Sequence, residues 1–566
     1  MKMTRHFPRL SVFGILFLIV AFGNGLFFSH VTYGATDRPN IVIISASNLG
    51  YSDLGCYGSE IKTPAIDKLA AEGMQFTQFY TCGNAAMSQA AMVTGQYPHR
   101  VGMGMPMVDL EWKSYRGSIN KSTCTLAEFL QEAGYSTYMS GKWSVTRHYK
   151  YDAPSFSWPI NRGFERFYGT ILAQTSYFEP QYLIMNNQPY DSGEDYYHTY
   201  AIAREAANFL DRSKNSEKPF FLYVSFTAPS WPLQAPESEI KQYAQKYRAG
   251  WDFARSQRFD GLTERGLLPY GTKLPPRDQR VADWNRVGAF GRWHARRMEV
   301  YAAQISALDR GVAMIMEKIK QLGVDNDTMI IFLADAGACG DELSPKTRSR
   351  SIPDKTKNGE PVQVGNTPNV LPGDGITFQS YGIPWANVSN TPFRGYSDSV
   401  YEGGIAAPCI IRWNRHTEPG KVVEPVHIID IFPTAVEVAN YPYPDELNGH
   451  NTLPLVGRSM VPLFSVKHRL DLMTAEEKKH RYFFWECKGN IAIRNGNWKL
   501  VLPQNGRQWE LYNMAIDRPE TTNVFVQNQN KPEITQMIYQ YERWKKINRV
   551  QNWDDVLAKL RPPKRK

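Results

Sequence analysis

Residues 40–45 read NIVIIS, a short β-branched run closed by the polar stretch SASN. A run without polar alternation reads as a strand buried on both faces. Working outward, Thr63–Glu72 and Thr125–Ala133 carry apolar residues at helical spacing, and a Gly follows each. Phe220–Phe226 (FFLYVSF) and Met329–Leu333 (MIIFL) are two further buried strands, and Ala295–Leu322 reads as one long helix. Strands alternate with helices, so the fold class is α/β: a large domain with a mostly parallel central sheet flanked by helices. Residues 338–390 are rich in Gly, Pro, Ser and Asn, which predicts a long loop region over one sheet edge. From about residue 425 the texture changes to short strands, such as Arg481–Trp485 and Trp498–Leu502, with a last helix near 533–548. That predicts a smaller C-terminal subdomain with an antiparallel sheet and helix. The domain plan is a leader over 1–36, a large domain over 37–425, a C-terminal subdomain over 426–550 and a basic, solvated tail over 551–566.

The chain has 566 residues, 42% hydrophobic and 21% charged, long enough for one large or two medium cores. That composition excludes a disordered chain, a collagen and a disulfide scaffold. The net charge of +10 is concentrated at the ends: Lys2, Arg5 and Arg9 at the start, and RPPKRK at the finish. The body keeps only a small excess, so the balance argues for no nucleic-acid partner. The apolar run LSVFGILFLIVAFGNGLFF after Arg9 predicts a signal peptide or an uncleaved signal anchor, and hence an exported protein, periplasmic, secreted or at the cell surface. An uncleaved anchor is the one predicted membrane contact. Six widely spaced cysteines without a C-x-x-C argue against structural zinc and leave one or two disulfides open.

Nine stretches resemble, in order, the landmarks of the sulfatases in the alkaline-phosphatase superfamily, over nearly all of residues 38–525. They are NIVIISASNLGYSDLGCYG, SQAAMVTGQYPHRVGM, GYSTYMSGKW, RGFERFYG, FTAPSWPLQAP, FQSYGIPWANVSNTPFRGY, EGGIAAPCIIRW, HIIDIFPT and NWKLVLPQNGRQWELYNM. The resemblance implies the fold just described. It also implies a chemistry of ten positions: a formylglycine nucleophile made from the Cys of C-x-P-x-R, a calcium ion on three Asp and one Asn, an Arg, two Lys and two His.

Eight of those ten positions are replaced. The nucleophile position is Ala85, whose methyl cannot attack a sulfate ester. The Pro and Arg of the maturation signal are Met87 and Gln89. The metal positions are Ser47, Asn48, Asp335 and Ala336, so one carboxylate is left of three. Lys142 is kept, but the two His are Ser144 and Ser230, the second Lys is Ser397, and a frequent nearby His is Tyr401. Framing residues are intact around every loss: Gly141, Trp143, Pro229, Pro232, Pro392, Arg394, Glu402 and Gly403. The losses remove both signs of charge, which spares the fold unpaired buried ions. The resemblance therefore implies a pseudo-sulfatase with no catalytic residues, no metal site and no cofactor. The alternative is an active sulfuric ester hydrolase using other groups, with calcium.

No G-x-S-x-G, H-E-x-x-H or P-loop supplies another chemistry. The bland readings are a salt bridge for Lys142, a strand-end acid bonded to backbone N–H for Asp335, a buried thiol for Cys82 and a structural ring for His99. One remnant is expected: a helix over Ser88–Thr94 with free N–H groups facing the old cleft, binding a sulfated or polar small ligand without turnover.

Overall fold

The structure is a computed structural model, and it describes residues 38–214, 216–466 and 481–561. The leader over 1–36 lies outside the described residues, as do the last five residues. Among the described residues no helix is long and apolar enough to cross a membrane.

The opening run becomes β1 (Asn40–Ala46), with all seven residues buried. It sits centrally in an eleven-stranded sheet. The other members are β2 (Met74–Tyr80), β3 (Ser136–Gly141), β4 (Arg166–Thr170), β5 (Leu183–Met185), β6 (Gln188–Pro189), β7 (Phe220–Ser225) and β8 (Thr328–Ala334). After a small pair within the long loop, β9 (Gln363–Val364) and β10 (Thr377–Phe378), come β11 (Ala406–Arg412), β12 (Gly420–Val422) and β13 (Val426–His427). The order is β12-β2-β11-β8-β1-β7-β3-β4-β5-β6, with β13 also on β2. β8, β1, β7, β3 and β4 run parallel, and β11 is antiparallel to both its neighbours. This is the expected class, and unbroken apolar strands are what a sheet covered on both faces requires.

Helices α1 (Pro64–Glu72) and α4 (His198–Arg212) pack on the long helix Gly291–Gln321. Helix α2 (Ala85–Thr94) packs with α3 (Leu126–Glu132) and with the helix Ile431–Val438. Those contacts and β13 tie residues 426–438 to the large sheet. The layer boundary therefore lies later than residue 425, because the change in sequence texture marks shorter elements rather than a new core.

A hairpin, β14 (Glu446–Leu447) and β15 (His450–Asn451), precedes the second sheet. That sheet is an antiparallel meander, β16 (Tyr482–Cys487), β17 (Asn490–Asn495), β18 (Trp498–Leu502) and β19 (Glu510–Asn513), followed by the helix Pro532–Asn548. A buried ion network docks it on the large domain. Lys499 reaches Glu402 at 3.0 Å and Glu520 at 2.8 Å, and Arg518 reaches Glu402 at 3.0 Å. Burial raises Glu402, but Lys499 and Arg518 outweigh it and hold the carboxyl low, whereas burial pushes Glu520 up. The stretch taken as the start of a solvated tail is instead a helix, Trp553–Leu560, whose Val556 is buried with Leu110 and Tyr115. The basic end masks an amphipathic run too short to stand out. All six cysteines are free thiols. Cys82 is a buried thiol, its pKa pushed up by burial.

Candidate active site

The parallel strands end together, and ligands of open α/β sheets bind outside such carboxyl ends. Ser47 and Asn48 follow β1, Asp335 and Ala336 follow β8, Lys142 follows β3, and Ser230 lies beyond β7. Gly141 makes the approach of Lys142 possible. Its φ is +119°, and a Cβ there would sit 1.9 Å from the Ser225 carbonyl oxygen. That same carbonyl accepts the Lys142 N–H at 2.8 Å.

Lys142 and Asp335 are partners of each other. Lys142 Nζ lies 2.5 Å from Asp335 Oδ2, and both side chains are buried. The ammonium also donates to Ser47 Oγ at 2.6 Å, and the Asn48 N–H donates to Asp335 Oδ1 at 2.9 Å. Asn48 Nδ2 is 3.4 Å from the Gly337 carbonyl, one residue after Ala336. The salt bridge and the strand-end acid are thus one interaction.

Gln89 and Ser144 form a second, neutral knot. Gln89 Oε1 accepts the Ser144 N–H at 2.7 Å and its hydroxyl at 2.8 Å. Gln89 Nε2 donates at 3.0 Å to the Lys142 carbonyl and to the Tyr223 hydroxyl. An amide offers two acceptor sites and two donors, and all are used here. Tyr223 and Ser225 were not singled out from the sequence. Their alternation in FFLYVS places them on one strand face, which is the signal that could have found them.

Helix α2 begins at Ala85, three residues earlier than the sequence suggested. Its N-cap is Asn84, whose Oδ1 accepts the N–H groups of Ala86 at 3.1 Å and Met87 at 3.3 Å. Asn84 Nδ2 in turn donates to Asp398 Oδ1 at 2.7 Å, and Lys488 reaches Asp398 Oδ2 at 2.5 Å. Donors expected to be free are therefore capped, and a carboxylate stands beside them. An Asn directly before a helical run is the standard cap signal.

The other expected positions are dispersed. Ser230 is buried, and its hydroxyl has no hydrogen-bond partner among the described residues. It shares with Asn48, Tyr301 and Cys339 a cavity of about 10 Å³. That is roughly the room one water needs. Ser397 is half-buried and donates its N–H to the Ala338 carbonyl at 2.9 Å. Tyr401 donates to Glu510 at 2.7 Å under the Arg394 guanidinium. His99 is buried, with Nε2 at 2.6 Å from Glu486.

The chain matches the Sulfatase family over residues 39–441, and the C-terminal family of N-sulphoglucosamine sulphohydrolase over 395–547. The chain belongs to the sulfatase family. This sulfatase homologue is 31% identical to an uncharacterized sulfatase of Schizosaccharomyces pombe, over 86% of this chain and 90% of the relative. It is 30% identical to the arylsulfatase of Klebsiella aerogenes, over 76% and 93% of the two chains. Among solved structures, Ps i-CgsB in complex with k-i-k-neocarrahexaose superposes with a TM-score of 0.63 and 24% identity, covering 92% and 99% of the chains. That likeness speaks for the fold.

The family's calcium does not fit the donors present. Calcium takes six to eight oxygens and gains affinity with carboxylate count. Here both Asp335 oxygens are committed, one to an ammonium and one to a backbone N–H. The Lys142 ammonium holds the place where a cation would meet Asp335 and Ser47. Among the described residues no group of three His, Cys, Asp or Glu is placed to hold a metal.

Proposed function

We propose that this sulfatase-family protein is a non-catalytic homologue, exported through its N-terminal leader. The observation that carries this reading is the Lys142–Asp335 pair, 2.5 Å apart and buried. The two chemical groups the chain retains are spent on each other, and the Ala85 methyl offers no nucleophile. The neutral Gln89–Ser144 knot supports the same reading, since its hydroxyl is a donor to an amide and has no base. Ser230, at a position where the family's chemistry has a His, borders only a water-sized cavity of about 10 Å³.

The test is aryl-sulfate hydrolysis by the full chain with calcium present. Beside it runs a variant carrying Ala85→Cys, Met87→Pro, Gln89→Arg, Ser47→Asp, Asn48→Asp, Ala336→Asn, Ser144→His, Ser230→His and Ser397→Lys, co-expressed with the maturation enzyme. The native chain is expected at the level of a blank purified from the same host, with turnover in the variant. Turnover by the native chain above that blank establishes the alternative, an active sulfuric ester hydrolase.

A further inference from the structure

A cavity of about 770 Å³ opens at the opposite end of α2. Ten residues of helix, about 15 Å, separate it from the Ala85 end. Its walls come from four places: the turn holding His99 and Arg100, the loop from Glu111 to Ser122, Asn451 with Leu453, and the last residues of the helix Pro532–Asn548 with Arg549. The volume suits a molecule the size of a sugar ester.

The charge around this basin does not balance. Arg100, Lys113, Arg116 and Arg549 line it, against one carboxylate, Glu111. Glu111 is already engaged by Lys559 at 3.2 Å. Arg116 is paired with Asp109 at 3.2 Å, and the ring of His99 is paired with Glu486. The side chains of Arg100, Lys113 and Arg549 have no hydrogen bond or ion pair among the described residues. Arg100 is also half-buried, and burial lowers its pKa with no carboxylate offsetting it. The helix Pro532–Asn548 brings its negative end to the same wall, but a helix end carries only about half a charge against three cations. An arginine fork and two further cations on one basin match an oxyanion with more than one negative charge. Asn120, Ser122 and Asn451 add polar groups for the uncharged part of such a ligand.

We propose that this basin binds a small polar molecule carrying about two negative charges on tetrahedral oxyanion groups, either one phosphate monoester or a pair of sulfate esters. The site is separate from the old catalytic cleft and does not depend on the non-catalytic reading.

Calorimetric titration of the full chain at low ionic strength tests it, with glucose 6-phosphate, glucose 4,6-disulfate and unmodified glucose as probes. Saturable binding of one or both esters, and none of glucose, is the expected result. Binding of only one ester identifies which oxyanion the basin takes. Arg100→Gln and Lys113→Ala, at an exposed position, should each weaken it about tenfold or more, while Lys320→Ala on the long helix leaves it unchanged. Absence of binding by both esters, equal binding of glucose, or affinity unchanged in both Arg100→Gln and Lys113→Ala overturns the proposal.

Discussion

The two ends of α2 treat charge in opposite ways. Near its N-terminal end the ions have partners at contact distance, Lys142 with Asp335 and Lys488 with Asp398. At its C-terminal end three cations face about 770 Å³ without a carboxylate of their own. A buried ion must be paired or it costs several kcal/mol, whereas a solvated one can wait for a ligand. The closed end is therefore built for stability, and the open end keeps the capacity to bind.

That contrast makes predictions of different size. The largest effect belongs to the closed end. Lys142→Met leaves Asp335 buried and unpaired, and should cost about 3–5 kcal/mol in urea unfolding. Adding Asp335→Leu should recover much of that loss; a double variant no better than the single would break the contrast. Next comes Gln89→Leu. It strands the Ser144 N–H and the Lys142 carbonyl, with an expected loss of about 1–3 kcal/mol.

The third effect lies at the seam between α2 and the C-terminal sheet. Burial lowers the His427 pKa to about 3, with Asp430 and Arg481 as its charged neighbours. The unfolded imidazole titrates near 6.5, so the stability from keeping it neutral is complete above that pH and is lost as pH falls toward 3. His427 Nδ1 accepts the Ile429 N–H at 3.2 Å, a role Asn can take. Relative to His427→Asn, the native chain should lose up to about 1.4 kcal/mol per pH unit below 6.5. Parallel stability curves for the two proteins would assign the acid sensitivity elsewhere. The smallest effect belongs to the open end: Arg100→Gln should change stability by no more than about 0.5 kcal/mol. A large loss there would mean that the basin is structural.

The sulfatase family was legible in the chain because its landmark stretches keep their order. KWSV after Gly141 and SNLGYSDLG after β1 resemble the family's landmarks, so the residues of the candidate site could be numbered from the chain alone. Asn84 and Tyr223 were missed for a different reason. Each acts through a partner distant in the chain, Asp398 for one and Gln89 for the other. The basic basin escaped for a third reason. Its cations come from residues 100, 113 and 549, and in the overall charge they are cancelled by acids that lie elsewhere.

Residue order alone settled the α/β class, the succession of strands and helices, and the absence of a nucleophile at position 85, because periodicity and side-chain chemistry are local properties. It did not settle that Lys142 and Asp335, 193 residues apart, neutralise each other, or that the helix Trp553–Leu560 packs Val556 against Leu110. Nor did it show that three scattered cations share one cavity. Those facts depend on which segments the sheet brings within a few ångströms, and Coulomb and hydrogen-bond energies are decided at that range.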